Sequence, residues 1–264
     1  MLIIAERINS SRKQIAQAII AGDRIFIQEE AKAQTLVGAN YIDVNAGTFV
    51  GEEAARLRWI VTAVQEVTEL PLCIDSPDPE VIKAILPLLK KKPIINSITL
   101  EPSRIDGILP LVVEYKTKVI ALCQSEEAMS ETSDQKMALA GKLVEKLTSQ
   151  GVPIDDIYID PLVYPLSTNP QSASATLEAI SLIMKTFLGV HTVCGLTNVS
   201  YGLPARKLIN RAFLAAAIAR GLDSAIIDPT DKLLYAMLKA ATVVAGKDDY
   251  CIDYICAFRE GRVE

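Results

Sequence analysis

The stretch KPIINSITLEP, residues 92–102, sets an amide, Asn96, inside a β-branched apolar run bounded by Lys-Pro and Glu-Pro. Such a run reads as a short buried strand between turn signals. A buried amide without partners costs roughly 1–3 kcal/mol, so Asn96 must meet other polar groups inside the fold. The same design returns in LCIDS (72–76), IYIDP (157–161) and CGLTN (194–198), each a short apolar run ending in a carboxylate or an amide.

Eight runs of this kind can be marked: LIIAERI from Leu2, YIDVNA from Tyr41, LCIDS from Leu72, IINSIT from Ile94, KVIALCQ from Lys118, IYIDP from Ile157, TVCGLTN from Thr192 and SAIIDP from Ser224. Their starts lie about 32 residues apart on average, room for one strand and one helix each. Amphipathic stretches separate most of them. Residues 52–70 carry apolar side chains at helical intervals, and residues 78–91 open on an early Pro, with Pro87 set to kink or shorten the helix. Residues 133–151 begin with a capping Ser or Asp and end on Gly, and 203–221 look similar. The pattern predicts an α/β fold, a (β/α)₈ barrel formed by one domain over residues 1–264. A doubly wound open sheet is the rival, but it calls for fewer strands and a Gly-rich first turn that is missing here.

Composition narrows the function. Half of the 264 residues are hydrophobic and the net charge is −5, with KKK at 90–92 reading as a solvated helix end. No basic stripe suits nucleic acid, and no apolar segment reaches the ~18 residues of a membrane span. The opening MLIIAERINS is too short in its apolar run for a secretory leader. The odd count of five cysteines, with no Cys-x-x-Cys pair, reads as buried thiols in a reducing cytoplasm rather than a disulfide framework or a zinc cage. The single histidine, His191, falls at the start of the seventh strand, away from the expected mouth, so neither a Ser-His-Asp triad nor a His-rich metal site is supported. Aromatics at 5% are thin for stacking against sugars, which weakens a glycosidase reading of the carboxylates.

A barrel of this class gathers its site at the C-terminal ends of its strands. Glu6 and Asn9 lie near the end of the first run, Asp43 and Asn45 end the second, Asp75 the third, Asn96 the fourth, Asp160 the sixth and Asn198 the seventh. Any one of them has an ordinary reading as a helix cap or turn residue; the informative feature is their recurrence at equivalent places. The set offers acceptor carboxylates and two-way amides with almost no cations. It is poor for phosphate and good for a flat heterocycle rich in N–H donors, because one carboxylate can accept two parallel N–H bonds from an aminopyrimidinone edge.

The chain also resembles the pterin-binding methyltransferases. AERIN (5–9), DVNAG (43–47), CIDS (73–76), INS (95–97), YIDPL (158–162) and GLTNVSYGLP (195–204) recur in that family in the same order, and the likeness runs on through LINRAFL (208–214). It is most similar to the methyltetrahydrofolate:corrinoid/iron-sulfur protein methyltransferases and their relatives in corrinoid-dependent demethylation. The resemblance implies a pterin-binding type (β/α)₈ barrel, usually a homodimer, that takes tetrahydrofolate or 5-methyltetrahydrofolate as substrate. A cobalt corrinoid would be supplied by a partner protein, with no metal site in this chain. By position, Asp75, Asn96 and Asp160 would hold the pyrimidine edge, with Asp43 and Asn45 beside them. Gly195 would let the backbone approach the ring, and Asn198 would be the catalytic residue reaching N5. Arg206 or Lys207 would meet the aminobenzoyl-glutamate tail. Ala5 stands where the family leads one to look for Gly. Dihydropteroate synthase is the neighbouring alternative, but it would be expected to carry Lys at Asn198 and Arg-x-His after the last strand, where this chain has IIDPT. A folate-binding subunit without catalysis is the non-enzyme alternative.

Overall fold

Parallel strands alternate with helices through the described chain, residues 1–126 and 130–263 of the computed structural model. The strands are β1 (Leu2–Asn9), β2 (Tyr41–Asn45), β3 (Leu72–Asp75), β4 (Ile94–Ile98), β5 (Lys118–Leu122), β6 (Ile157–Asp160), β7 (His191–Thr192) and β8 (Ser224–Ile227). They pair in the order β8-β1-β2-β3-β4-β5-β6-β7. The ring closes where the Ile226 N–H donates to the Cys194 carbonyl at 3.1 Å and Gly195 bridges to Ile226. Closure leaves no sheet edge open to another chain. This is the (β/α)₈ barrel that the spacing predicts.

Helices form the outer layer: α1 (Lys13–Ala21), α2 (Arg24–Leu36), α3 (Glu53–Gln65), α4 (Pro79–Ile85), α5 (Pro102–Tyr115), α6 (Ser133–Ser149), α7 (Ser172–Thr186), α8 (Arg206–Arg220), α9 (Lys232–Val244) and α10 (Ile252–Arg259). Their boundaries follow local chemistry. Glu101-Pro102, the end of the opening stretch, is the N-cap and first residue of α5, where the missing N–H of proline costs nothing. Thr132, rather than Ser133 or Asp134, caps α6, in a capping box with Gln135. Pro87 ends α4 early, and a 3₁₀ turn over Leu86–Leu88 takes its place. The helix read over 203–221 starts only at Arg206, because Ala205 takes a left-handed backbone at φ +50°.

Strand alternation sorts the core into two shells. Inward-facing Ile4, Tyr41, Cys73, Ile94, Ile120, Tyr158 and Val193 fill the barrel. Their neighbours, such as Ile42, Val44, Ile74 and Ile95, pack outward against Leu57, Ile60 and Val64 of α3 and the other helices. Two residues beyond an inward apolar side chain stands the next inward position. Tyr41 is followed by Asp43 and Asn45, Cys73 by Asp75, Ile94 by Asn96 and Tyr158 by Asp160. The polar ends therefore line the mouth, while the same strands are dry below. No helix among the described residues is long and apolar enough to cross a membrane. Cys73, Cys123 and Cys194 are buried free thiols, but Cys251 is half-buried and Cys256 exposed, because both lie in the C-terminal helical segment outside the barrel.

Candidate active site

Asn45, Asp75 and Asn96 sit at one level of the mouth, because Asn45 registers with Asp75 and Asp75 with Asn96 across β2, β3 and β4. Asn45 donates to the Asp75 carboxylate at 3.1 Å and its carbonyl at 3.2 Å, and accepts from Ser10 Oγ at 2.9 Å and the Gly47 N–H at 3.0 Å. All four of its hydrogen-bonding positions are filled, so it braces Asp75 and has none left for a ligand. Asn96 donates to Asp43 Oδ1 at 3.4 Å and keeps its carbonyl oxygen and its second N–H. That long bond is where the amide of the opening stretch finds its interior partner. Burial, then the neighbouring Asp75, push the Asp43 carboxyl well above the usual carboxylate range. Burial lifts Asp75 to about 6, with its hydrogen bond from Asn45 and the charge of Arg104 pulling the other way.

A β-bulge decides where Glu6 points. The register of β1 on β2 runs Ala5 to Ile42 and then Ile8 to Val44, so one extra residue is accommodated at Glu6-Arg7. Arg7 ties to Glu30, Asp228 and Thr230. Glu6 faces a cleft of about 820 Å³ whose walls include Asn9, Arg12, Asn198, Arg206 and Asp228. Burial pushes its carboxyl up to about 7, against the opposing pull of Arg12 and Arg206. Its charge also reaches Asp43, so Glu6 joins the cleft to the polar cluster of β2–β4.

The seventh strand departs most from its sequence reading. Regular pairing covers His191–Thr192 alone, and Asn198 lies in a 3₁₀ turn over Leu196–Ser200 rather than at a strand end. The turn closes through the Tyr201 N–H on the Asn198 carbonyl at 3.0 Å. The Asn198 side chain is exposed and makes no hydrogen bond to a described residue, so turn closure does not occupy it. Arg206 braces the turn, donating to the Thr197 carbonyl at 2.7 Å and Ser200 Oγ at 3.1 Å. Lys207 pairs with Asp231 at 3.0 Å.

Asp160 ends β6 in a third polar group. Its Oδ1 accepts the Leu162 N–H at 2.8 Å, and the Gly195 N–H also bonds the carboxylate. Burial raises it to about 6 against those two bonds and the charge of Lys136. A carboxylate accepts at about four positions, which leaves two for a ligand. A Cβ built on Gly195 would meet nothing within 4 Å, so the space above its backbone is open.

The sequence-identified residues thus form one rim in three parts: Asp43, Asn45, Asp75 and Asn96; Asp160 with Gly195; and Asn198 with Arg206 on the cleft wall. The first two parts do not line the cleft itself. Lys136 was not among the candidates, because its position within α6 gives no sign that its ammonium enters the barrel layer. His191 stacks on Tyr158 with ring centroids 4.7 Å apart and bonds Asp223 at 2.6 Å, at the opposite end of the strands. Among the described residues no cluster of His, Cys, Asp or Glu could hold a metal ion.

The profile of the family described as "Pterin binding enzyme" matches residues 5–228. The chain is 37% identical over 265 residues to the methylcorrinoid:tetrahydrofolate methyltransferase of Eubacterium limosum, covering 100% of this chain and 98% of that protein. It is 32% identical over 240 residues to the methionine synthase of Mycobacterium tuberculosis (strain ATCC 25618 / H37Rv), covering 86% of this chain but 20% of that larger protein. Among solved structures, a dihydropteroate synthase from Coxiella burnetii in complex with pteroic acid superposes with a TM-score of 0.71 at 17% identity, over 92% of this chain and 93% of the other. One from Xanthomonas albilineans gives 0.69 at 17% identity, over 93% and 92%; at this identity both speak to the fold alone. The chain belongs to the pterin binding enzyme family.

Proposed function

We propose that this protein transfers a methyl group from a methylcorrinoid, carried by a separate protein, to N5 of tetrahydrofolate. The observation that carries the reading is the whole-chain likeness to a methyltransferase whose name states both reactants. A rim of acceptor carboxylates and amides suited to a pterin supports it.

In this reading the two free acceptor positions of Asp160 take the N–H groups of the pyrimidine edge. Asp75 and the unused carbonyl and N–H of Asn96 serve the remaining ring atoms, and Arg206 lies toward the glutamate tail. The lone pair of N5 forms the new C–N bond, the Co–C bond breaks with its electron pair going to cobalt, and N5 must then lose its proton. The Asn198 amide, which makes no hydrogen bond to a described residue, orients N5. Glu6, on the same cleft wall and titrating near 7, accepts the proton. The cobalt reaches the mouth as the partner's cargo, and Tyr201 and Val50, both exposed on mouth loops, offer the partner apolar contact. Exposed Leu208, Leu233 and Met237 on the outer faces of α8 and α9 support a homodimer. The free thiols suit a reducing cytoplasm.

Single-turnover methyl transfer from methylcobalamin to tetrahydrofolate tests the reading. Acceleration over the uncatalysed reaction supports it; tight tetrahydrofolate binding with no acceleration would reduce the protein to a folate-binding subunit.

A further inference from the structure

Lys136, on α6, is fully buried. A buried ammonium is costly unless every N–H is satisfied. Here it donates to the carbonyls of Ser130 at 2.6 Å, Pro161 at 2.8 Å and Leu162 at 2.6 Å. Among the described residues no carboxylate touches it directly. Two of the three carbonyls belong to the residues that follow Asp160, and Leu162 is held there at φ +55°, a left-handed conformation that a non-glycine residue rarely adopts. The connection is closer still. The carbonyl of Pro161 and the N–H of Leu162 are the two ends of one peptide group; the first accepts from Lys136 at 2.8 Å and the second donates to Asp160 at 2.8 Å. A cation on the oxygen of a peptide polarises its N–H and strengthens the bond that N–H makes. Among the described residues, the other titratable groups facing this pair are the thiols of Cys123 and Cys194 and the carboxylate of Glu131, and the ring of Tyr164 lies 5.3 Å from the ammonium.

We propose that Lys136 is the positioning residue for Asp160: through the Pro161-Leu162 peptide its buried charge holds the carboxylate in place and ionised to receive the substrate's N–H edge. The last step rests on the functional reading above; the coupling of Lys136 to Asp160 does not. The ordinary alternative is that Lys136 only ties the loop before α6 to the loop after β6, as glue between two backbones. That role would affect stability and leave the titration of Asp160 alone.

The test reads both in the ligand-free and the folate-bound protein. The side-chain carboxyl carbon of Asp160, assigned by its loss in Asp160→Asn, is titrated by NMR in wild type and in Lys136→Gln, which keeps two donors but no charge. Removing a cation that favours a carboxylate raises its midpoint by about one pH unit or more. With the wild-type midpoint about 6, tetrahydrofolate affinity in Lys136→Gln is then expected to fall about fivefold at pH 6 and recover by pH 8.5. An unchanged midpoint, or a loss of affinity equal at every pH, overturns the proposal. A raised midpoint with folate affinity indifferent to Asp160→Asn upholds the coupling and sinks the placement of the pterin instead. Should Lys136→Gln fail to fold, wild type carries the test: the Lys136 Nζ resonance must move with the same midpoint as the Asp160 carboxyl, and two unrelated midpoints overturn the proposal.

Discussion

Asp160→Asn should make the protein more stable and a poorer folate binder at once. In the folded protein burial raises this carboxyl from 3.8 to about 6, a displacement that corresponds to roughly 3 kcal/mol against the charged form. The sign follows from linkage. The folded value lies above the unfolded one, so the carboxylate opposes folding above about pH 6, and the opposition fades as pH falls. Asparagine has the same shape without the charge. Its oxygen can still accept from the N–H groups of Leu162 and Gly195, which bond the carboxylate in the native protein, while its amide turns toward the opening. At pH 7.5 the variant should therefore gain on the order of 1–3 kcal/mol, and for a chain of this size each kcal/mol raises Tm by about 2–4 °C. Facing a pterin the sign reverses, because an amide N–H then meets ligand N–H groups. Breaking a buried charge-assisted pairing costs roughly 2–5 kcal/mol, so tetrahydrofolate affinity should fall at least tenfold. Thermal unfolding by calorimetry and anaerobic calorimetric titration give the two numbers. A lower Tm with unchanged affinity would refute both the charge-burial account and the assignment of Asp160 to the ligand.

Asn198→Ala should fold normally, since the 3₁₀ turn closes through backbone, and lose about a hundred- to a thousandfold in single-turnover transfer at saturating folate; a wild-type rate would reduce Asn198 to a binding residue. If Glu6 takes the N5 proton, methyl transfer to tetrahydrofolate should rise with pH through a midpoint near 7, and Glu6→Gln should flatten that profile and slow transfer at pH 8 by roughly a hundredfold or more. The hydrogen bond to Asp223 raises the His191 pKa above its ordinary 6.5. Its contribution to stability is therefore full below pH 6.5 and lost as pH rises through the folded value. Denaturant midpoints measured at pH 6 and pH 9 should converge in His191→Gln relative to wild type. Met237→Glu, in the apolar groove of α8 and α9, should shift a dimer toward monomer in sedimentation, and an unchanged dimer would place the interface elsewhere.

The barrel was legible in the sequence because both of its signals are local. Each buried strand is a continuous apolar run, each helix between them has a 3.6-residue period, and a repeat near 32 residues leaves little choice of architecture. The polar strand ends were legible for the same reason: Asp43, Asp75, Asn96 and Asp160 interrupt runs that are otherwise apolar, two residues beyond an inward position. What those residues do to one another was not legible, because it depends on neighbours far away in sequence. Asn45 reads like Asn96, yet registration against Asp75 fills all of its hydrogen-bonding positions, while Asn96 makes one bond to a described residue and keeps its carbonyl oxygen and second N–H. The seventh run reads as a full strand, but its pairing gives way to the turn that presents Asn198, where the Gly195 N–H turns to Asp160 instead. Glu6 takes its place on the cleft wall from a one-residue bulge that no periodicity reveals. Lys136 looks like any polar residue in an amphipathic helix, and only the approach of two loops supplies the three carbonyls that let its charge be buried. Sequence sets which residues can lie inside, through the transfer of apolar surface from water; the titration and partners of the polar ones follow from distances of a few ångströms that only the closed barrel establishes.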